Sequence, residues 1–189
     1  MKAAWTMLPA FLMTATAFAM PNVGDDAVFD ATITSGTQSY QGTAEFSLTS
    51  YDASTDQFNQ HTVQTIGGST QANDALVDHL AFITDAQATD AVASCAHYGG
   101  TAATVTVPAG TFATCAIPVQ NPGQTGTSWI APVAFGVVKQ DVTNSDGSHV
   151  VLSLRTSTMG APTPMPAPAP APTQVHVRFA PRVLSAIQN

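Results

Sequence analysis

Five histidines, His61, His79, His97, His149 and His176, are the side chains of this sequence best suited to move a proton near neutral pH. They are dispersed, and no serine or cysteine stands in a local nucleophile motif such as Gly-x-Ser-x-Gly. A hydrolase on this chain would need a triad assembled only in space, so no catalytic residue is expected from the local pattern. Asp25-Asp26 could hold a cation, but an acidic pair just after Gly24 reads better as a solvated strand start. Asn144-Ser145-Asp146-Gly147 resembles part of a calcium loop, yet Val142 stands two residues before Asn144 and no glutamate closes the loop. It reads as a turn, and no metal site or other cofactor is expected. Cys95 and Cys115 are the only cysteines, not in a Cys-x-x-Cys arrangement and without a histidine pair at zinc spacing. They read as one structural disulfide.

Charge narrows the partners. The sequence carries a net charge of -7, and from Met20 to Gly160 its only bases are Lys139 and Arg155 against twelve acidic residues. Nucleic-acid binding needs clustered Lys and Arg to neutralise phosphates, and no cluster exists. Attraction to an anionic membrane surface is disfavoured for the same reason. Lys139 could meet an anionic head group at a rim or simply pair with Asp141. Trp129 carries the matching choice between a ligand-facing aromatic and a packing residue.

The first residues carry a targeting pattern. Lys2, the apolar residues Leu8, Phe11, Leu12 and Met13, and then Ala17-Phe18-Ala19 form a signal peptide over residues 1–19, with cleavage expected before Met20. The apolar stretch is shorter than the roughly 20 residues a spanning helix needs, and Pro9 interrupts it. Position 20 is methionine, so no lipid-bearing cysteine follows the cleavage site. A periplasmic or secreted protein that does not span the membrane is the expectation.

The elements that would position any site are mostly strands. Residues 32–35, 41–51 and 58–66 are rich in Thr, Val and aromatics and separated by Gly, Asp and Ser. Ala44, Phe46 and Leu48 alternate with Glu45, Ser47 and Thr49, the period of a sheet wet on one face. Gly67-Gly68 breaks the third strand. Residues 71–100 have helical character: Thr84 with Gln87 forms a capping box for a helix over residues 86–95, and Gly99-Gly100 ends it. Residues 75–83 fit a helix or a short strand equally. Strands resume over 101–107, 111–119, 127–131, 135–142 and 149–156, with Pro108-Ala109-Gly110 as a tight hairpin turn.

The run Val107-Pro108-Ala109-Gly110-Thr111-Phe112, then Trp129, then Phe135-Gly136-Val137-Val138-Lys139, resembles the signature of small exported proteins of the TapB kind. The resemblance covers the part from Cys95 to Leu154. It implies a fold like that of the lipoprotein carriers LolA and LolB: mainly β, a curled antiparallel half-barrel with one or two short helices as cover. Many such proteins are lipid-anchored, and Met20 departs from that. The resemblance places Phe112, Ile117, Trp129, Phe135, Val137, Val150, Leu152 and Leu154 on the concave face. Phe112, Trp129, Phe135 and Lys139 then become the ligand-facing candidates for a lipid or other apolar small molecule.

After this domain, residues 20–160, comes a different composition. Residues 161–173 place proline at every second position from 162 to 172, an extended spacer of about 40 Å at about 3.1 Å per residue. In the tail, residues 174–189, Val175, Val177 and Phe179 alternate with His176 and Arg178. The tail could fold back onto a sheet edge or dock on another envelope protein. Three functions follow: a non-enzymatic exported binder of an apolar ligand, an envelope interaction module docking through its tail, or a hydrolase.

Overall fold

The computed structural model describes residues 21–160; the expected signal peptide, the proline-rich spacer and the tail with Val175, Val177 and Phe179 lie outside the described residues. Among the described residues, nine strands form one open antiparallel sheet: β1 (Asp26–Ser35), β2 (Gln38–Asp52), β3 (Gln57–Ile66), β4 (Ser69–Asp78), β5 (Thr101–Val107), β6 (Gly110–Asn121), β7 (Gln124–Ile130), β8 (Val137–Asn144) and β9 (His149–Thr158). Their order is β4-β3-β2-β1-β9-β8-β7-β6-β5, so the two halves are meanders joined where β1 pairs with β9. One short helix, α1 (Asp85–Ala93), lies in the connection between β4 and β5. The expected class, a mainly β antiparallel sheet with short helical cover, is what the chain forms.

Local chemistry explains the connections. Gly67 and Gly68 take φ of 58° and 84°, the left-handed pair a two-residue hairpin requires, so they join β3 to β4 rather than end the sheet. The capping box of α1 is complete: Gln87 N–H donates to Thr84 Oγ1 at 3.2 Å, and Thr84 N–H to Gln87 Oε1 at 2.9 Å. α1 stops at Ala93, two residues short of the expected end. A 3₁₀ turn over Cys95–Tyr98 follows and ends at Gly99 with φ of 70°.

Register sorts the two faces. Directly opposite residues share a face, and the row Ala31, Leu152, Gln140, Ser128 and Ile117 is buried throughout. The neighbouring row Thr43, Asp30, Ser153, Lys139, Trp129 and Ala116 is only part-buried and forms the opposite face. Ala88 and Ala91 of α1 are fully buried against the sheet, small enough to let the helix approach closely. The disulfide between Cys95 and Cys115, with Cα atoms 5.4 Å apart, fixes the chain after α1 to β6.

Aromatic rings fill the covered face. Tyr51, Phe58, Phe82, Phe135, Phe46 and Phe29 form a continuous chain with successive centroids 4.8 to 6.3 Å apart. Phe82 comes from the segment before α1 and Phe135 from the loop between β7 and β8, so two loops deliver the rings that close the interior. The sheet also curls: the tip of the β5–β6 hairpin reaches β9, where Ala109 N–H donates to Leu154 O at 3.0 Å.

Two elements differ from expectation. β4 takes up residues 71–74 of the stretch read as helical and 75–78 of the segment read as helix or short strand; nine of its ten residues are exposed and carry no apolar period to tell the two apart. Phe135 does not begin β8; it sits in a tight turn with φ of 62°, followed by Gly136 at 71°. A Cβ on Gly136 would come within 2.9 Å of Ile83, so the turn is pressed against the segment leading into α1.

Candidate functional site

The four ligand-facing candidates do not converge. Phe135 is 7% exposed and belongs to the aromatic core. Trp129 and Lys139, opposite each other on β7 and β8, lie on the face away from that core, with Lys139 Nζ 4.9 Å from the Trp129 ring centroid. Trp129 is thus not on the covered face; it shares its face with Lys139 and Ser153, because its neighbours Ser128 and Ile130 take the buried positions. The other six residues assigned to the concave face besides Phe112 and Trp129 are all buried.

Phe112 lies elsewhere. It lines a groove of about 430 Å³ where three elements meet: Ala109 and Phe112 from the β5–β6 hairpin, Pro132 and Val133 from the loop after β7, and Arg155, Thr156, Ser157 and Met159 from the end of β9. Hydrogen bonds from backbone N–H groups hold these walls. Ala109 N–H binds Leu154 O, and Ala134 N–H donates to Ser157 Oγ at 2.9 Å. Where β1 pairs with β9, the register shifts beside Arg155, which reaches Asp30 on β1. Arg155 keeps 51% of its side chain exposed, and Met159 is 47% exposed. The groove therefore offers an apolar wall with one cation and two hydroxyls beside it.

A second polar feature lies inside the sheet. Gln140 is fully buried, and neither its Oε1 nor its Nε2 has a hydrogen-bond partner among the described residues. Ser128, directly opposite on β7 and 2% exposed, has an unpartnered Oγ. An unpaired amide beside an unpaired hydroxyl in an apolar interior is costly.

The histidines sort into separate acid–base pairs. His61 Nδ1 lies 2.8 Å from Asp74, His79 Nδ1 2.7 Å from Asp56, and His149 Nε2 2.7 Å from Asp141. His97 packs edge-on against Tyr98. Among the described residues, no group of three or more His, Cys, Asp or Glu side chains converges in a metal-like cluster. Tyr51 donates to Asp56 at 2.6 Å, and that bond, with burial and the nearby carboxylates, pushes its phenol up to about 12.

Asp25 carries a role the sequence did not signal. It is 6% exposed, and its carboxylate accepts from the backbone N–H of Asn22 at 2.9 Å and of Gly160 at 2.8 Å. It ties the chain before β1 to the chain after β9. The Asn144–Gly147 segment is the expected turn: Gly147 N–H donates to Asn144 O, and Asp146 accepts from both the N–H and the hydroxyl of Ser148, which holds its carboxyl below the usual range.

Among solved structures, the chain is similar to a protein from Bacteroides fragilis described as exported with a YmcC-like fold, at 14% identity over 75% of this chain and 99% of that one, with a TM-score of 0.42. It is similar also to MucB, at 13% identity over 75% of this chain and 55% of MucB, with a TM-score of 0.34. The chain thus spans about half the length of MucB. No protein-family model matches the chain, and no curated protein does. No helix among the described residues is long and apolar enough to cross a membrane.

Proposed function

We propose that this is an exported, non-enzymatic protein that binds a small amphiphile or lipid in the groove beside Phe112. The observation that carries the reading is the groove's composition. Ala109, Phe112, Pro132, Val133 and Met159 offer apolar surface, while Arg155, one of only two Lys or Arg residues in the body, stands at the same groove, ion-paired with Asp30 on one side and with half its side chain exposed to an anionic head. Its volume of about 430 Å³ falls in the range of small-molecule sites. The covered face of the sheet is an unfavourable alternative, since Phe82, Phe135 and α1 occupy it. The expected signal peptide and the disulfide, a bond of oxidising compartments, support export.

Native mass spectrometry of the protein purified from its own envelope, followed by extraction of the bound molecule, tests this. The expected result is a stoichiometric lipid or amphiphile that Phe112→Asp removes and Arg155→Gln weakens. A ligand-free mass for the unmodified protein, or a ligand indifferent to both substitutions, overturns the reading.

A further inference from the structure

The geometry points to β4 as the docking edge for this chain's own tail, with residues 175–179 adding as a tenth, antiparallel strand. β4 is an edge of the sheet, ten residues long, and every residue but Val77 is exposed. Leu76 is 67% exposed, and β4 has no lysine or proline to block pairing. A long bare edge with an exposed leucine is what added strands pair with.

Position favours the tail as occupant. β9 is the central strand, and the paired row Thr158, Asp26, Ser47, His61 and Asp74 runs straight across the sheet from it to β4. The chain therefore leaves β9 at the same end of the sheet where β4 carries Asp74 to Asp78. Four strand spacings separate them, about 19 Å in a flat sheet, and the thirteen-residue spacer can span about 40 Å. A tail arriving from that end runs antiparallel to β4.

Charge and pattern fix the edge and the register. β5, the other edge, has no charged residue, whereas β4 has Asp74 to meet the tail's Arg178. With Arg178 opposite Asp74, Val177 falls opposite Ala75 and Val175 opposite Val77. Val77 is the partner of buried Phe58, so the tail valines extend the apolar face while Arg178 meets acid on the other. A slip by one residue reverses both matches.

Amide hydrogen exchange on the intact chain, with its tail, tests the docking. β4 amides should exchange about tenfold more slowly than in a Val177→Pro variant, which cannot maintain the added ladder. Asp74→Arg should speed β4 exchange, and adding Arg178→Asp should slow it again. Unchanged β4 exchange on Val177→Pro overturns the proposal, as does protection that appears on β5 instead. Protection that grows with protein concentration also overturns it, since the strand would then come from a second copy, and so does protection that requires an added envelope protein.

Discussion

Replacing Gln140 by methionine should stabilise the protein. Gln140 is fully buried between Leu152 and Ser128 in the sheet, and both polar atoms of its amide are unpartnered. A buried donor or acceptor left without a partner costs about 1–3 kcal/mol, and methionine keeps the length and approximate volume without the polar atoms. Allowing for imperfect packing of the new side chain, Gln140→Met should gain about 2 kcal/mol, or about 7 °C in Tm for a domain of about 140 residues. Ser128→Ala should gain less, since it removes one orphan and a smaller group. Reversible thermal and urea unfolding of both single variants and the double variant measures the effects and their coupling. Additive gains match two independent orphans. A loss of stability for Gln140→Met, or strong coupling with Ser128→Ala, refutes the reasoning.

Breaking the disulfide with Cys95→Ser and Cys115→Ser together should cost about 3 kcal/mol, from a loop of 20 residues closed in the unfolded chain, read by urea midpoints. Gly100→Ala should also destabilise, because its Cβ would fall 2.5 Å from Cys115 Sγ. Asp25→Ala removes the shared acceptor of Asn22 and Gly160, and equilibrium unfolding should show a loss of about 3 kcal/mol. The carboxyl of Asp26 is pushed above its usual range by burial and by Glu45, so its contribution favours folding at low pH and is lost as pH rises through the folded value. Asp26→Asn should therefore raise stability at about pH 7 and have little effect at about pH 3, measured by unfolding at both. In an alkaline absorbance titration, Asp56→Asn should bring the ionisation of Tyr51 down from about 12.

What the sequence made legible follows from where burial writes a pattern. Ala44, Phe46 and Leu48 alternate because one face of β2 is dry, and Val150, Leu152 and Leu154 do so on β9. The Thr84–Gln87 box announces α1 because its two hydrogen bonds are local, and two cysteines leave one intramolecular pairing. β4 was not legible for the converse reason. An edge strand exposed on both faces buries nothing that could impose a period on Ser69 to Asp78, and only its pairing with β3 defines it. Trp129 lies on the opposite face from the one expected, and Phe135 lies on the expected face but in a turn before β8, because face and element bounds depend on bulges and turns. The register shifts between Trp129 and Ile130, and the left-handed turn at Phe135 leaves β8 to begin at Val137, neither of which the residue types alone dictate.

The two surfaces proposed to bind differ in the same way. The groove exists because the hairpin tip at Ala109 is drawn onto Leu154 beyond the start of β8, a contact between residues 45 positions apart that no local motif encodes. Its ligand chemistry can be read only once Phe112, Arg155 and Met159 are seen together. The β4 edge is the reverse case. Its partner's pattern, apolar residues alternating with His176 and Arg178, is visible in the sequence, but the edge strand with Asp74 that complements it lies across residues that read as helical and, from 75 on, as helix or strand equally. Binding at the groove depends on side chains, whereas docking at the edge depends first on backbone hydrogen bonds. Phe112→Asp should therefore abolish ligand while leaving β4 exchange slow, and Val177→Pro should free β4 while leaving ligand bound. Loss of both functions on either substitution would show that tail and groove form a single site.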